Sequence, residues 1–207
     1  LARTDDYANA LRLAAQELGG KDPRLVADLS GATYDETRNV LTIDFLGRLH
    51  EVPLPSGEVR YAGSDEEPPL TERVLILRYL NQANGAPVKN EPITYRELPS
   101  GEFYYSAFSR RAEIPMLKAF GEHPERLNQL APEIGGRPLE GEADGAAVFH
   151  PLPRVPITLL VWGGDDEFEP AGKILFDKSA QHYLTLEDAS WTASFVVYRL
   201  MKLAFAS

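Results

Sequence analysis

Seven carboxylates crowd the stretch from Gly163 to Asp188. Asp165, Asp166, Glu167, Glu169, Asp177, Glu187 and Asp188 stand there against Lys173 and Lys178, which places half of the chain's net charge of −10 in about one eighth of its length. Hard cations such as Mg²⁺ and Ca²⁺ prefer carboxylate oxygens, so Asp165, Asp166 and Glu167 of "WGGDDEFEP" are the candidate metal ligands. A carboxyl of raised pKa beside an ionised one would instead serve acid–base chemistry. A ligand site at the same turn would take Trp162, with nearby Tyr or Phe, as its apolar wall and the three acids as polar or cation contacts. His150 and Arg154 of "FHPLPR" complete that candidate set, because the prolines hold their stretch extended.

Geometry opposes pooling all seven acids. If "ITLLVWG" and "KILFD" are the arms of a hairpin, Asp165 and Asp166 lie at its tip, and Asp177 lies roughly 15–17 Å down the second arm at strand rise. The other acids have local uses. Thr185-x-x-Asp188 matches a capping box for a final helix, whose first turn favours Glu187. Asp177 can cap a short helix "KSAQHYL", and Asp165-Asp166 after two glycines suits a turn.

Other chemistries are thinner. The chain contains no G-x-S-x-G, HExxH, Walker A, GxGxxG or EF-hand pattern. Cysteine is absent, which removes disulfides, thiolate nucleophiles and cysteine-held zinc or iron–sulfur centres. His50, His123, His150 and His182 stand far apart, with no i, i+4 pair. Arg96, Arg110-Arg111, Arg137 and Arg154 are scattered. They read first as ion-pair partners, with Arg110-Arg111 as an alternative clamp for a carboxylate or phosphate. No motif indicates a cofactor.

The elements that must position these residues alternate between two periods. Tyr7, Leu11, Ala14, Ala15 and Leu18 share a helical face that stops at Gly19-Gly20, and Asp22-Pro23 to Gly31 predicts a second short helix. "ATYD", "NVLTIDFLG" and "RLHEVPL" predict a meander of strands, and "PSGEVRYAGSDEEPP" a mobile polar loop. "PPLTERVLILRYLNQANG" predicts a helix apolar on most sides, hence central to a core. A strand is expected near Ile93–Tyr95. A helix follows, with Tyr105, Phe108, Ala112, Met116 and Ala119 on one face, which Pro115 should kink or divide. "PERLNQLAPEIGG" is a short helix, "AAVFHPLPRVPITLLVWGG" reads as proline-interrupted strands and "KILFD" as one more strand. The final helix carries two stripes, Ala189, Ala193, Val196, Leu200, Leu203 and Trp191, Phe195, Tyr198, Lys202, Phe205, which implies burial on two sides.

Strands and helices do not alternate as βαβ units, so the reading is an α+β fold: a mainly antiparallel sheet packed by several helices, with a long C-terminal helix. One domain over 1–207 is expected, with lobes at 1–85 and 100–207 as the alternative division. An acidic chain of pI near 4.9 is a poor partner for nucleic acid. No run approaches the roughly 20 apolar residues that span a bilayer. The acidic, amphipathic start is unlike a signal peptide, so a cytoplasmic protein is expected.

Taken together, "ILRYLNQANGAPV", "ITYRELPSGEFYY", "LPRVPITLLVWGGDDEFEPAGKILFD" and "YLTLEDA" resemble an uncharacterised prokaryotic domain family associated with anaerobes. The resemblance runs from about Tyr7 to the end, and Trp162–Asp177 is its most specific part. It implies a setting in anaerobic redox or one-carbon metabolism and supplies no catalytic residues. Relatives joined to a cysteine-bearing iron–sulfur segment differ from this cysteine-free chain. The leading expectation is therefore a small-molecule-binding or accessory module. A carboxylate-based, metal-assisted hydrolase or transferase is the second. The third is a structural protein that associates, for example as a homodimer, through its final helix.

Overall fold

The computed structural model describes residues 2–206 and divides them into two compact units. The first holds the chain up to Pro87 together with Leu152–Arg154 and His182–Leu184. It opens with α1 (Ala2–Gly19) and α2 (Pro23–Ser30). The Asp22 side chain accepts from the Arg24 amide, Pro23 occupies the first turn, and Gly31 ends α2 at φ 78°, the left-handed conformation that glycine adopts without a Cβ penalty. Strands β1 (Thr33–Asp35), β2 (Val40–Phe45) and β3 (Arg48–Pro53) form the expected antiparallel meander. A fourth strand, β4 (Arg60–Tyr61), extends it, pairing His50 with Tyr61 and Glu51 with Arg60. It lies inside the segment expected to be a mobile loop, because two residues are too few to show strand alternation.

Helix α3 (Leu70–Gln82) is the core of this unit. Val74, Leu75, Ile76, Leu77, Tyr79 and Leu80 are all buried, and α1 packs along it. At roughly 1.5–3 kcal/mol per buried large apolar side chain, this one helix supplies a large part of the unit's cohesion. The Tyr79 hydroxyl donates to the Ser30 carbonyl at 2.5 Å, and its ring stacks on Tyr183 at 5.9 Å.

The second unit contains Val88–Pro151, Val155–Gln181 and the chain from Thr185 onward. Its five-stranded sheet joins β5 (Pro92–Thr94), β6 (Arg137–Pro138), β7 (Gly145–Leu152), β8 (Val155–Trp162) and β9 (Ala171–Asp177) in the order β5-β9-β8-β7-β6, antiparallel wherever the register is defined. The two antiparallel sheets and their helices are the α+β class that the sequence predicts. Pro151 and Pro156 do not interrupt the strands as expected. The β6–β7 ladder reaches only Val148, and the β8–β9 ladder starts at Ile157, so neither proline sits where those ladders need its missing N–H.

Helices α4 (Gly101–Phe108), α5 (Ile114–Phe120), α6 (Glu125–Leu130) and α7 (Leu186–Ala206) pack in this unit. A π-helical turn, Ser109–Glu113, joins α4 to α5. Pro115 lacks the N–H that an α-helix would aim at the Arg111 carbonyl, and the widened turn lies just before it. The Asp188 amide donates to Thr185 Oγ1 at 3.1 Å and the Thr185 hydroxyl donates to Asp188 Oδ2 at 2.7 Å, which caps α7 as the sequence predicts. Ala189, Ala193, Val196 and Leu200 of α7 are buried. Its second stripe departs from the expected burial on two sides: Trp191 and Phe195 are half-buried, and Tyr198, Lys202 and Phe205 are exposed.

Candidate functional site

The hairpin expected to carry the acidic tract is present, with Trp162 opposite Ala171 and Ile157 opposite Phe176. At its tip, Asp165 Oδ1 accepts the Glu167 and Phe168 amides, each at 2.8 Å, and the Asp165 amide donates to the Phe168 carbonyl at 2.9 Å. This carboxylate closes a turn. Gly164 is required there, since a Cβ would stand 2.8 Å from Pro170 Cδ and 2.9 Å from the Phe168 carbonyl oxygen. Asp166 and Glu167 point to solvent, and the Gly163 amide donates to Asp144 Oδ2 at 2.9 Å. Trp162 is half-buried, with Lys173 Nζ 6.0 Å from its ring centre. Among the described residues, no group of three or more His, Asp or Glu side chains is placed to hold a metal.

The remaining candidates do not join this tip. His150 lies on the exposed side of β7, its pKa lowered by partial desolvation of the ring and then by the Arg137 charge. Arg154 belongs to the other unit, where its amide donates to the Tyr79 hydroxyl at 3.2 Å and its guanidinium to the Asp28 carbonyl at 2.9 Å. Asp177, at the foot of the hairpin, is buried and caps the short turn that follows by accepting the Ser179 amide. In the first unit, His50 is fully buried between the Glu72 carboxylate, 2.8 Å from Nε2, and the Arg48 carbonyl, 2.8 Å from Nδ1. Both ring nitrogens are engaged, so the ring has no position left for a ligand.

A different group of residues converges in the second unit. The π-helical turn swings Arg111 toward the first turns of α7, where it faces Ser190 and lies over Trp191. Its Nη1 is 3.4 Å from Ser190 Oγ and its guanidinium carbon 4.7 Å from the Trp191 ring centre. The side chain is half-buried, and among the described residues no carboxylate forms an ion pair with it. Beside it opens a pocket of about 320 Å³, walled by Tyr95, Tyr104, Ala107, Phe108 and Leu186, with Glu187 and Ser190 at its polar side.

Aromatic packing makes the floor rigid. Tyr95 and Phe108 stack face to face at 4.0 Å, and both lean on Phe176 of β9 at 6.2 and 6.0 Å. The Tyr95 hydroxyl donates to the Leu186 carbonyl at 3.3 Å, which ties the floor to the start of α7. Burial pushes the Tyr95 phenol above its ordinary pKa against the lowering effect of Arg111, so Tyr95 is a neutral wall at physiological pH. Tyr105 is held from behind by Arg96, 3.7 Å over its ring, and its hydroxyl donates to Glu113 Oε2 at 2.7 Å. The lining contains no histidine, and its chemistry is that of binding: the Arg111 cation and, on the polar side, the Glu187 carboxylate stand beside flat apolar walls.

Sequence reasoning named Arg111 but not its company. Tyr95, Tyr104 and Ser190 are separated along the chain and carry no shared pattern. The available signal is local: a proline a few residues beyond a paired arginine in a helical pattern marks a place where the helix must widen or bend.

The class that these features define is an α+β protein with two antiparallel sheets and an arginine-edged aromatic pocket. The chain belongs to a family described as a domain of unknown function, DUF3786, whose model matches residues 22–199. No curated protein and no solved structure matches it. Among the described residues, no helix is long and apolar enough to cross a membrane.

Proposed function

We propose that this protein is a small-molecule-binding module whose site is the pocket beside Arg111, and that its ligand is a flat apolar body bearing a carboxylate or phosphate. The observation that carries the reading is the Arg111 guanidinium, half-buried at the wall of an aromatic pocket and paired with no carboxylate among the described residues. A cation in that setting gains most from an anion that arrives with the ligand, since charge-assisted hydrogen bonds strengthen where water is partly excluded. The Tyr95–Phe108 stack and the exposed Tyr104 ring offer faces on which a planar group can lie. The π-helical turn supports the same reading, because such turns recur at functional sites.

The test uses the two tryptophans. In a Trp162→Phe background, Trp191 beneath Arg111 reports on the pocket, and benzoate and phenyl phosphate serve as probes. Saturable quenching by either probe is expected. Arg111→Ala should weaken it by about tenfold to a hundredfold, the range for losing a hydrogen bond to a charged group. Tyr104→Ala should weaken it less, and inorganic phosphate alone should compete poorly. Absence of saturable binding by either probe, or equal affinity in Arg111→Ala, overturns the reading.

A further inference from the structure

Helix α7 buries one stripe and leaves the other partly or fully accessible. Glu187, Trp191, Phe195, Tyr198, Lys202 and Phe205 follow one another at intervals of four, four, three, four and three residues, so they share one face of the helix. Tyr198 is 49% and Phe205 69% exposed, Glu187 and Lys202 are exposed, and Trp191 and Phe195 are half-buried. Trp191 already carries Arg111 on its ring and packs at a tilt against Phe195, so the open part of the row is the solvent-facing edge of these two rings together with Tyr198 and Phe205, an apolar face of the kind that a partner covers.

We propose that a second copy of this chain covers it, with the two α7 helices antiparallel about a two-fold axis that passes between positions 194 and 195. The argument is self-complementarity. Glu187 and Lys202 lie equally far from that point on opposite sides, and so do Trp191 and Tyr198. An antiparallel copy in this register sets Glu187 against the partner's Lys202 at both ends, places Trp191 against the partner's Tyr198 twice, and brings the two Phe195 rings together at the axis. These are the isologous contacts that a two-fold interface requires, each made twice. The parallel alternative would set Glu187 against Glu187 and Lys202 against Lys202, which repels at both ends. A single helix pair buries less than the roughly 1,200 Å² of ordinary stable complexes, so the dimer is a reversible one that forms as concentration rises.

The chain's lack of cysteine makes the register directly readable. Single-cysteine chains carrying Glu187→Cys or Lys202→Cys are purified in full, then oxidised alone and as an equal mixture. In the proposed register, residue 187 of one copy meets residue 202 of the other. Two copies of residue 187 stand about 22 Å apart at helical rise, well beyond disulfide reach. The mixture should therefore cross-link to a dimer, and neither variant should do so alone. Cross-linking of either variant alone to the extent seen in the mixture, or no cross-linking in the mixture at concentrations where the chain is dimeric, overturns the antiparallel register.

Sedimentation of the unmodified chain over a wide concentration range gives the second readout. A reversible dimer is expected, weakened at least tenfold by Tyr198→Glu, a change at an exposed position that leaves the fold intact by circular dichroism. The charge exchange Glu187→Lys with Lys202→Glu should restore what either single change weakens. A strict monomer at every concentration, or a dimer indifferent to Tyr198→Glu, overturns the proposal.

Discussion

The two ends of the β8–β9 hairpin put the same functional group to opposite uses. At the foot, Asp177 is 5% exposed, and its oxygens accept the Lys89 amide at 3.0 Å, the Glu91 amide at 3.2 Å, the Ser179 amide at 2.9 Å and the Ser179 hydroxyl at 2.5 Å. At the tip, Asp166 and Glu167 face water, and only Asp165 of that trio closes a turn. The tip has the greater density of carboxylates and the foot has nearly all of the structure's use for one. What a carboxylate does is decided by how many N–H and O–H groups the backbone turns toward it, and a count of acids along the chain does not measure that.

The largest effect therefore belongs to Asp177. Replacing it with Ala strands three backbone N–H groups that have little access to water, at a cost of about 2–4 kcal/mol by the usual worth of hydrogen bonds to a charged group. A urea titration read by tryptophan fluorescence measures this, and a loss below about 1 kcal/mol would contradict the contrast. Burial alone would raise this carboxyl's pKa. The Ser179, Lys89 and Glu91 donors outweigh burial and hold it below the ordinary aspartate value. A depressed folded-state pKa means that the stabilisation is complete above the unfolded value of about 4 and is lost as pH falls through the folded one. Asp177→Asn should flatten that acid limb of the stability curve, whereas Asp166→Asn should leave it in place.

A middle-sized effect is expected at Asp165. Its two acceptor bonds to the Glu167 and Phe168 amides are exposed to water, so Asp165→Ala should cost about 0.5–1 kcal/mol. Hydrogen exchange supplies the sharper measurement. The Glu167 and Phe168 amides should exchange faster in the variant, while those of Leu159 and Ile174, within the β8–β9 ladder, should not change. Faster exchange along the whole ladder would mean that the tip holds the hairpin together, and the division between foot and tip would fail.

The same contrast explains which parts of this protein are legible in its sequence. Asp22, Pro23 and Gly31 bound α2, Thr185 and Asp188 cap α7, and Asp177 starts the short turn after β9, all through bonds that span a few residues. Local chemistry of this kind leaves a local mark. The hydrophobic run of α3 is equally plain, because a helix buried on most sides must be apolar on most sides. Strand β4 is too short to show a period, and the split into two sheets depends on long-range pairing. The Arg111 pocket is the extreme case. Tyr95, Tyr104, Arg111 and Ser190 meet only because the short turn after β5, α4, the π-helical turn and α7 are brought together by packing, and no spacing along the chain records that meeting.

The smallest effect should come from the residues that first suggest chemistry. Asp166→Asn with Glu167→Gln removes two exposed charges that neighbour Asp165 and Glu169 along the chain and whose carboxylates make no hydrogen bond among the described residues. Exposed positions of this kind change stability by no more than about 0.5 kcal/mol. The sign should be slightly favourable at low salt, since the change relieves repulsion among like charges, and it should vanish as the Debye length falls below about 10 Å at 0.1 M ionic strength. Thermal melts of the parent and the double variant, each at two salt concentrations and with Mg²⁺, Ca²⁺ or EDTA, measure both terms. A rise in Tm with either cation in the parent that the double variant loses would show that the tip gathers its carboxylates around an ion. The comparison would then be reversed, with the tip as a binding site and the foot as its anchor. Melts that differ only by the small, salt-screened term would leave the acidic tip as a solvated turn and turn attention to the pocket beside Arg111.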